Sequence, residues 1–250
     1  MPSELVHLEL SDHVATVTLD SPHNRNALSR ELVRQLGERL STAEADPDTR
    51  VVLLRSAHPV FCAGADLTEA ASGTGADGPR QLVALQAQIA GMAKPVVVEL
   101  RGPVRAGGLG IVGAADIVLA AETVTFALTE VRLGLAPAVI SLSLLERLSP
   151  RAAADVFLSA RTFGAAEAAD MGLITRAVPD AEVASAVDDT LNAIVKGNLQ
   201  GLSETKQLLN CDVLERIERD GEYAARRSAE LFDSEEARAA MKAFLTRTRP

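Results

Sequence analysis

The sequence contains no tryptophan, and aromatic residues make up only 3% of its 250 residues. Large rings are therefore nearly absent, and the core must be built from leucine, valine, isoleucine and alanine. Apolar residues reach 47% and charged residues 24%, a balance typical of a folded globular protein. The length suits one large domain, or a compact core with a smaller appendage.

Cysteine is also scarce, since Cys62 and Cys211 are the only two. Two thiols are too few for a disulfide framework or a four-thiolate metal site. Apolar runs such as Ile117 to Ala121 are far too short to cross a bilayer. The N-terminus, beginning Met1-Pro2-Ser3-Glu4, has neither the basic start nor the apolar stretch of a secretory signal. We therefore expect a soluble protein in a reducing, cytoplasmic compartment, with no membrane partner and no metal.

Positive charge is in short supply, because the formal net charge is −9. A nucleic-acid partner normally attracts a basic surface, so RNA or DNA binding is disfavoured. Scattered arginines, including Arg247 and Arg249 in the tail, are compatible with ordinary solvated surface or with a local patch for a phosphorylated group.

Apolar patterning predicts an α/β core followed by helices. Residues Leu5 to Leu10 and Val14 to Leu19 alternate apolar and polar positions, which is typical of two adjacent strands. Leucines at every fourth position from Leu28 to Leu40 predict an amphipathic helix. Further strands are expected at 51–54, 96–98 and 117–121, with a helix at 79–92. Alternating strands and helices imply parallel pairing through right-handed crossovers.

The second half of the chain reads as mostly helical. Ser149-Pro150 predicts a capped helix start, and Gly172 predicts a helix end. The glycine-containing stretch from Ser72 to Pro79 is predicted to be a mobile loop.

Two segments can present backbone amides to a ligand, although each is also compatible with a plain tight turn. In Phe61 to Leu67, Gly64 can adopt dihedrals that free an amide to point outward. Arg105 to Gly110 precedes a helix, whose N-terminal amides and dipole favour an anion. No Walker-type lysine and no Gly-x-Gly-x-x-Gly motif follow, so a nucleotide phosphate cradle fits poorly.

One carboxylate, Glu130, lies in the apolar run from Phe126 to Val131. On the surface it would be an ordinary ion-pairing residue. If buried, its pKa would rise and it could move protons near neutrality.

Together these segments resemble the crotonase (enoyl-CoA hydratase/isomerase) superfamily over nearly the whole chain. The matching segments are Asn24 to Leu28, Phe61 to Leu67, Gly102 to Asp116, Phe126 to Pro137, Arg161 to Leu173, Lys206 and Phe244-Leu245. The resemblance implies an α/β fold, a spiral of repeated β-β-α units, over residues 1–195. It also implies a helical oligomerisation section over residues 196–250, building trimers that pair into hexamers.

The resemblance implies an acyl-CoA thioester substrate whose carbonyl oxygen gains negative charge during reaction. By position, the backbone N–H groups of Ala65 and Gly107 would stabilise that charge. Such donors are worth about 3–4 kcal/mol each. The residues implied to bind the substrate are Asn24, Arg25, Ala27, Ala63, Asp66, Leu67, Gly108, Lys206 and Phe244. No separate cofactor is implied, because coenzyme A is part of the substrate.

The sequence departs from typical hydratases, which activate one water with two glutamates. Glu130 matches the later glutamate, but Gly110 stands where the earlier one is expected. Ala106 replaces a glycine common in the family, and Pro137 to Ser141 replaces a glycine-rich turn. This combination is similar to hydratases of branched glutaconyl-CoA substrates. We therefore predict hydration of a 2-enoyl-CoA, with Glu130 as acid and base.

Two alternatives stay open. A 3,2-enoyl-CoA isomerase needs only one base, which Glu130 supplies. A non-catalytic acyl-CoA-binding protein would keep the Ala65 and Gly107 loops and make no use of Glu130. Dehalogenase-type chemistry is disfavoured because residues 136–141 offer no aspartate, and His58 is not expected to be catalytic.

Two features leave the substrate and the assembly undecided. Arg105 or Arg132 could meet a substrate carboxylate, although a structural ion pair is the more ordinary role. The apolar residues between Leu199 and Ile217 are more than isolated helices can hide. They fit either contacts between subunits or packing on the chain's own core.

Overall fold

The computed structural model describes residues 4–71 and 77–247. Most of the predicted mobile loop, residues 72–76, lies outside the described residues. The strands are β1 (Val6–Ser11), β2 (Val14–Leu19), β3 (Val51–Ser56), β4 (Val96–Leu100), β5 (Val104–Arg105), β6 (Ile117–Ala121), β7 (Thr125–Ala127), β8 (Phe163–Gly164) and β9 (Arg176–Val178). The helices are α1 (Arg30–Ala45), α2 (Leu67–Ala71), α3 (Gly78–Gly91), α4 (Gly107–Ala114), α5 (Ala138–Leu144), α6 (Pro150–Ser159), α7 (Ala165–Asp170), α8 (Val183–Ile194), α9 (Leu199–Phe232) and α10 (Glu235–Arg247).

The strands form a six-stranded sheet in the order β1-β2-β3-β4-β6-β9 and a three-stranded sheet in the order β5-β7-β8. β1 and β2 pair antiparallel, as their alternating pattern predicts, and every other pair in the larger sheet is parallel. Parallel strands buried on both faces need apolar residues throughout, and all five residues of β4 are buried. The crotonase-like α/β spiral is confirmed.

Helix boundaries follow the capping signals. Ser29 caps α1, where its hydroxyl accepts a hydrogen bond from the Leu32 N–H at 3.2 Å. Ser149 caps α6 in the same way, with Pro150 in the first turn. Gly172, at a φ of +86°, follows α7 in the left-handed conformation that a helix end favours.

The core is aliphatic, as the shortage of aromatics predicts. Its largest fully buried side chains are leucines and isoleucines together with two rings, Phe61 and Phe126. Phe126 of β7 stacks on Phe163 of β8 with ring centroids 5.6 Å apart, a cross-strand pair within the smaller sheet. Among the described residues, no helix is both long enough and apolar enough to cross a bilayer.

Helix α9 packs on the core of its own chain. Val213, Ile217 and Ala224 are buried against Ala90 of α3 and Leu142 of α5. A neighbouring stretch of the same helix stays in solvent, since Leu208 is 78% and Leu209 is 69% exposed. The apolar residues of this section therefore divide between the protein's own core and a free surface, and the trimer stays a prediction.

The structure places Lys206, which the resemblance implies as a substrate-binding residue, in a buried ion pair. Its side chain is only 3% exposed, and its Nζ lies 2.9 Å from Asp116 Oδ2. The same ammonium donates to the carbonyl oxygens of Ile89 and Lys94 at 2.8 and 2.9 Å, and burial lowers its pKa. With its three donors spent on these partners, Lys206 anchors α9 to the end of α3 and to the start of β6.

We predict that Lys206→Met destabilises the protein by about 3 kcal/mol, because Asp116 would be left as a buried charge without its cation. Chemical denaturation measures the change. Lys196, an exposed lysine between α8 and α9, provides the control, and Lys196→Met should change stability by less than about 0.5 kcal/mol. Equal effects of the two substitutions would contradict the anchoring role.

Candidate active site

A cavity of about 740 Å³ opens at the carboxyl-end loops of the core. Its walls come from the loop after β3, the start of α4, the turn after β7, the start of α5, and helices α9 and α10. These segments are far apart in sequence, and the spiral brings them together. The three segments that stood out chemically in the sequence all reach this one cavity.

The loop after β3 is held in place by backbone hydrogen bonds on both sides. Arg105 N–H donates to Cys62 C=O at 2.9 Å, which joins the loop to β5. Leu28 N–H donates to Gly64 C=O at 2.7 Å, and Ala63 N–H donates to Arg25 C=O at 3.2 Å. The segment before α1 and strand β5 therefore clamp the loop between them.

Asn26 anchors the clamp from inside, a role the sequence analysis missed. This residue is fully buried with a φ of +53°, and its amide donates to Ser56 Oγ at 2.8 Å and Phe61 C=O at 3.2 Å. Its Oδ1 accepts from the Ser21 N–H at 2.7 Å. The only sequence signal is an asparagine, the residue that best tolerates this dihedral outside glycine.

Close backbone approach requires small residues where the loop meets α4. Gly64 has a φ of +96°, and a Cβ there would lie 2.9 Å from Ala106 Cβ. A Cβ on Gly107 would lie 2.9 Å from Leu28 Cδ1 and only 3.8 Å from the Ala65 amide nitrogen. The amides of Ala65 and Gly107 are therefore neighbours at the cavity wall.

Ala106 is strained, with a φ of +45° and a ψ of −119° in the position before α4. Its N–H donates to Ala127 C=O at 3.0 Å, which fixes the turn to β7. This dihedral directs the chain into α4 so that Gly107 becomes its first residue. An alanine in this strained conformation persists only where the surrounding structure holds it in place. Such residues are common at functional sites.

The two amides have no acceptor of their own. Within the described residues, neither the Ala65 N–H nor the Gly107 N–H donates a hydrogen bond, and both residues line the cavity. The α4 N-terminus adds its dipole to the Gly107 amide. Two adjacent free donors facing a cavity can bind a carbonyl oxygen and stabilise negative charge on it.

Glu130 stands on the same cavity wall, at the start of the 3₁₀ turn Glu130–Leu133 after β7. Its Oε2 is buried without a hydrogen-bond partner among the described residues. Burial raises the pKa of this carboxyl to about 7. The group is therefore present in both its protonated and its ionised form near neutral pH, as an acid–base catalyst requires.

Gly110 has no room for the glutamate that the family often carries there. A Cβ at this position would lie 2.9 Å from Ile140 Cγ2 and 3.2 Å from Gln86 Cδ. Gln86 is itself fully buried, where its amide donates to Val139 C=O and accepts from Ser143 Oγ. The space beside Gly110 is thus occupied by the apolar side chain of Ile140 and the hydrogen-bonded amide of Gln86.

Among the residues predicted to bind substrate, four line the cavity: Arg25, Ala63, Leu67 and Phe244. The contacts of Asn24, Ala27, Asp66 and Gly108 are with the protein. Asn24 Nδ2 donates to Asp66 Oδ2 at 3.0 Å, Ala27 is buried, and a Cβ on Gly108 would lie 2.7 Å from Cys62 Cβ. These four residues shape the loops beside the cavity, and their contact with a ligand stays a prediction.

Two arginines on the wall differ in their partners. Arg105 donates to Thr125 C=O at 2.6 Å and Thr125 Oγ1 at 2.9 Å, so it ties β5 to β7. Arg132 lines the cavity mouth with its side chain exposed. The role of Arg105 is therefore structural, although its partners are a carbonyl oxygen and a hydroxyl and not the carboxylate of the ion pair foreseen.

The helical section supplies wall residues that the sequence analysis did not foresee. Ser228 and Phe232 of α9 line the cavity beside Phe244 of α10. Their spacing on the helix resembles ordinary core spacing, so no sequence signal separates them from residues that merely pack.

Comparison with known proteins places these features in context. The family model described as Enoyl-CoA hydratase/isomerase matches residues 9–250. An enoyl-CoA hydratase from Mycobacterium avium superposes with a TM-score of 0.90 at 44% identity, covering 99% of this chain and 98% of that one. An enoyl-CoA hydratase of Mycobacterium tuberculosis is 34% identical over 222 residues, 82% of each chain. A mevalonyl-coenzyme A hydratase of Beauveria bassiana is 35% identical over 191 residues, 72% of this chain and 68% of that one.

We predict that Gly64→Ala destabilises the protein by about 1–3 kcal/mol, because alanine would be strained at this φ and would meet Ala106 Cβ. Gly201→Ala is the control, because no atom lies within 4 Å of the added Cβ in the first turn of α9. That substitution should stabilise by about 0.5–1 kcal/mol. Thermal unfolding measures the stability of both variants. A loss of stability in Gly64→Ala alone shows that position 64 needs a glycine, whereas a loss in both would show only that alanine destabilises the protein wherever it replaces glycine.

We predict a pH-dependent stability difference between the wild type and Glu130→Gln. The folded-state pKa is raised from 4.5 to about 7, so the folded protein holds this proton more tightly than the unfolded chain does. Protonation of Glu130 therefore contributes its full stabilisation of the folded state below pH 4.5. This stabilisation is lost as the pH rises through about 7.

The variant should therefore be more stable than the wild type by about 2–3 kcal/mol above pH 8, and nearly equal to it near pH 5. Urea denaturation at the two pH values measures this, with Glu122→Gln on the surface as the comparison. A Glu130→Gln difference that does not change with pH would contradict the raised pKa.

Proposed function

This chain belongs to the enoyl-CoA hydratase/isomerase family, the crotonase superfamily, and we propose that it hydrates a 2-enoyl-CoA thioester with Glu130 as acid and base. The observation that carries the proposal is one cavity holding two free amides and a carboxyl with a pKa of about 7. The names of the relatives, several of them hydratases of CoA thioesters, support the same reaction class.

The Ala65 and Gly107 amides bind the thioester carbonyl oxygen in this proposal. As water adds to C3, the electron pair of the C2–C3 double bond moves toward that oxygen and forms an enolate. Donors already aimed at the oxygen stabilise the enolate by about 3–4 kcal/mol each. The α4 dipole contributes in the same direction.

Glu130 moves the protons. Its carboxylate takes a proton from the attacking water as the oxygen bonds to C3, and the resulting acid then gives a proton to C2. The product is a 3-hydroxyacyl-CoA, and the carboxylate is regenerated. A pKa of about 7 suits both steps, because neither protonation state is strongly disfavoured near neutral pH.

Thr129 is the second polar group that this site offers to a water. It precedes Glu130, lines the same cavity, and its hydroxyl makes no hydrogen bond that the described residues reveal. Because Ile140 fills the space beside Gly110, no second carboxylate can hold the water from that side. We assign to the Thr129 hydroxyl the water contact that the earlier glutamate would otherwise make.

A 3,2-enoyl-CoA isomerase is the second candidate, and the Gly110–Ile140 contact favours it. With an apolar wall opposite, Glu130 could take a proton from one carbon and return it two carbons away, without any water. A non-catalytic acyl-CoA-binding protein would use the two amides and leave Glu130 idle. Each alternative gives a different product pattern.

The remaining features of the proposal concern binding and assembly. Arg25, Ala63, Leu67 and Phe244 would contact the CoA portion of the substrate, with no cofactor besides it and no metal. Leu208 and Leu209 are exposed enough to lie between subunits of a homotrimer or hexamer. A cytoplasmic location and the lack of a nucleic-acid partner belong to the same proposal.

Turnover of crotonyl-CoA, a 3-enoyl-CoA and 3-methylglutaconyl-CoA tests the proposal. Hydration of 2-enoyl substrates by the wild type should fall by about 10²–10⁴-fold in Glu130→Gln. Glu122→Gln should keep the full rate. Conversion of only the 3-enoyl substrate would select the isomerase, and acyl-CoA binding without any turnover would select the binding protein.

A further inference from the structure

A second, smaller cavity of about 120 Å³, called the branch below, lies beside the first. The two share five wall residues: Ala65, Leu82, Val139, Ser228 and Phe232. Because Ala65 lines both cavities, the branch lies next to the amide to which we assign the carbonyl oxygen of the ligand. A cavity of this size accommodates a group of about five non-hydrogen atoms, since engineered cavities only slightly larger bind benzene.

Two polar side chains from different helices face this branch. Gln81 of α3 lines it, and Gln81 Oε1 is buried without a hydrogen-bond partner among the described residues. Ser228 of α9 lines it from the opposite helix and is only 8% exposed, with no hydrogen bond of its hydroxyl found in the described part of the chain. Buried acceptors are normally paired, so an unpaired one beside a cavity points to a ligand that supplies the donor.

The other glutamines of α3 show that Gln81 is exceptional. Gln86 donates to Val139 C=O at 3.2 Å and accepts from Ser143 Oγ at 2.7 Å. Gln88 donates to Gly37 C=O and Ser41 Oγ, each at 2.9 Å. Both amides serve the packing of the helix, whereas the Gln81 amide has no such use.

The charges around the branch select among polar ligands. Its lining includes the carboxylates of Asp66, Glu69 and Asp233, of which Glu69 pairs with Arg30 at 3.7 Å and Asp233 with Arg238 at 3.1 Å. The balance is still negative because of Asp66, so a carboxylate on the ligand would be disfavoured. A neutral hydrogen-bond donor meets no such penalty.

We propose that the smaller cavity is an acyl subsite for a neutral hydrogen-bonding substituent, in particular a hydroxyl group held by Gln81 Oε1 and the Ser228 hydroxyl. The substrate is then a 2-enoyl-CoA with a hydroxyl a few carbons beyond the double bond. This inference rests on the proposed hydration for its reaction but not for its binding. It separates this chain from hydratases of dicarboxylic substrates.

A matched substrate pair tests the subsite. 5-Hydroxypent-2-enoyl-CoA and hex-2-enoyl-CoA have acyl groups of equal length that differ only by a terminal hydroxyl or methyl. The wild type should prefer the hydroxyl compound by about tenfold in kcat/KM. In Gln81→Leu the ratio should fall to about one, whereas Gln88→Leu should keep it. Glutaconyl-CoA, which ends in a carboxylate, should be the poorest substrate of the three.

Calorimetric binding of the saturated pair, 5-hydroxypentanoyl-CoA and hexanoyl-CoA, separates this inference from the hydration itself. A hydroxyl preference that Gln81→Leu removes supports the subsite even if no enoyl-CoA is turned over. Hydration of both enoyl substrates with equal kcat/KM, and equal affinity for the saturated pair, would overturn the subsite while leaving the hydratase intact. Should Gln81→Leu fail to fold, as seen by circular dichroism, Ser228→Ala takes its place with the same expected loss of preference.

Discussion

The close approach of two backbone segments is the constraint on which the site depends. The loop after β3 and the start of α4 can meet only because Gly64, Gly107 and Gly108 carry no side chain, and because Ala106 accepts a left-handed dihedral. The contact leaves the amides of Ala65 and Gly107 close together and, in the part of the chain that the structure describes, without acceptors. The sheet order places β3 and β4 side by side, so that the loops at their carboxyl ends share one edge. A cavity lined by fixed donors follows from that geometry.

Burial then decides what a single carboxylate can do at this cavity. Glu130 lies after β7, whose pairing with β5 brings it to the same wall as the two amides. Since its Oε2 is buried without a hydrogen-bond partner among the described residues, the ionised form is disfavoured and the pKa rises to about 7. Gly110 provides no second acid, and Ile140 Cγ2 lies only 2.9 Å from where a Cβ at that position would be. The site therefore has one group that can move protons, Glu130, and two fixed N–H donors, those of Ala65 and Gly107.

Much of the fold and part of the site could be predicted from the sequence, because local rules produced them. Period-two and period-four apolar patterns located β1, β2 and α1, and the Ser149 cap located α6. The resemblance to the family, and not a local rule, implied Ala65 and Gly107 as the amide donors, although the small residues around them permit the close approach. The ion pair of Lys206 was not foreseen because its partner, Asp116, is ninety residues away, and no local pattern reports such a pair. Gln81, Ile140 and Ser228 were missed because side chains on packed helices face a cavity or a core according to tertiary structure alone.

The most direct test of this account is an infrared titration of the Glu130 carboxyl, taken as the difference between the wild type and Glu130→Gln in the absence of substrate. The account predicts one carboxyl that loses its proton at a pH of about 7 in the wild type and is missing from the variant. A carboxyl that titrates at its ordinary value of 4.5 would contradict it. Glu130 would then be solvated and ionised, and the acid–base role built on its burial would fall.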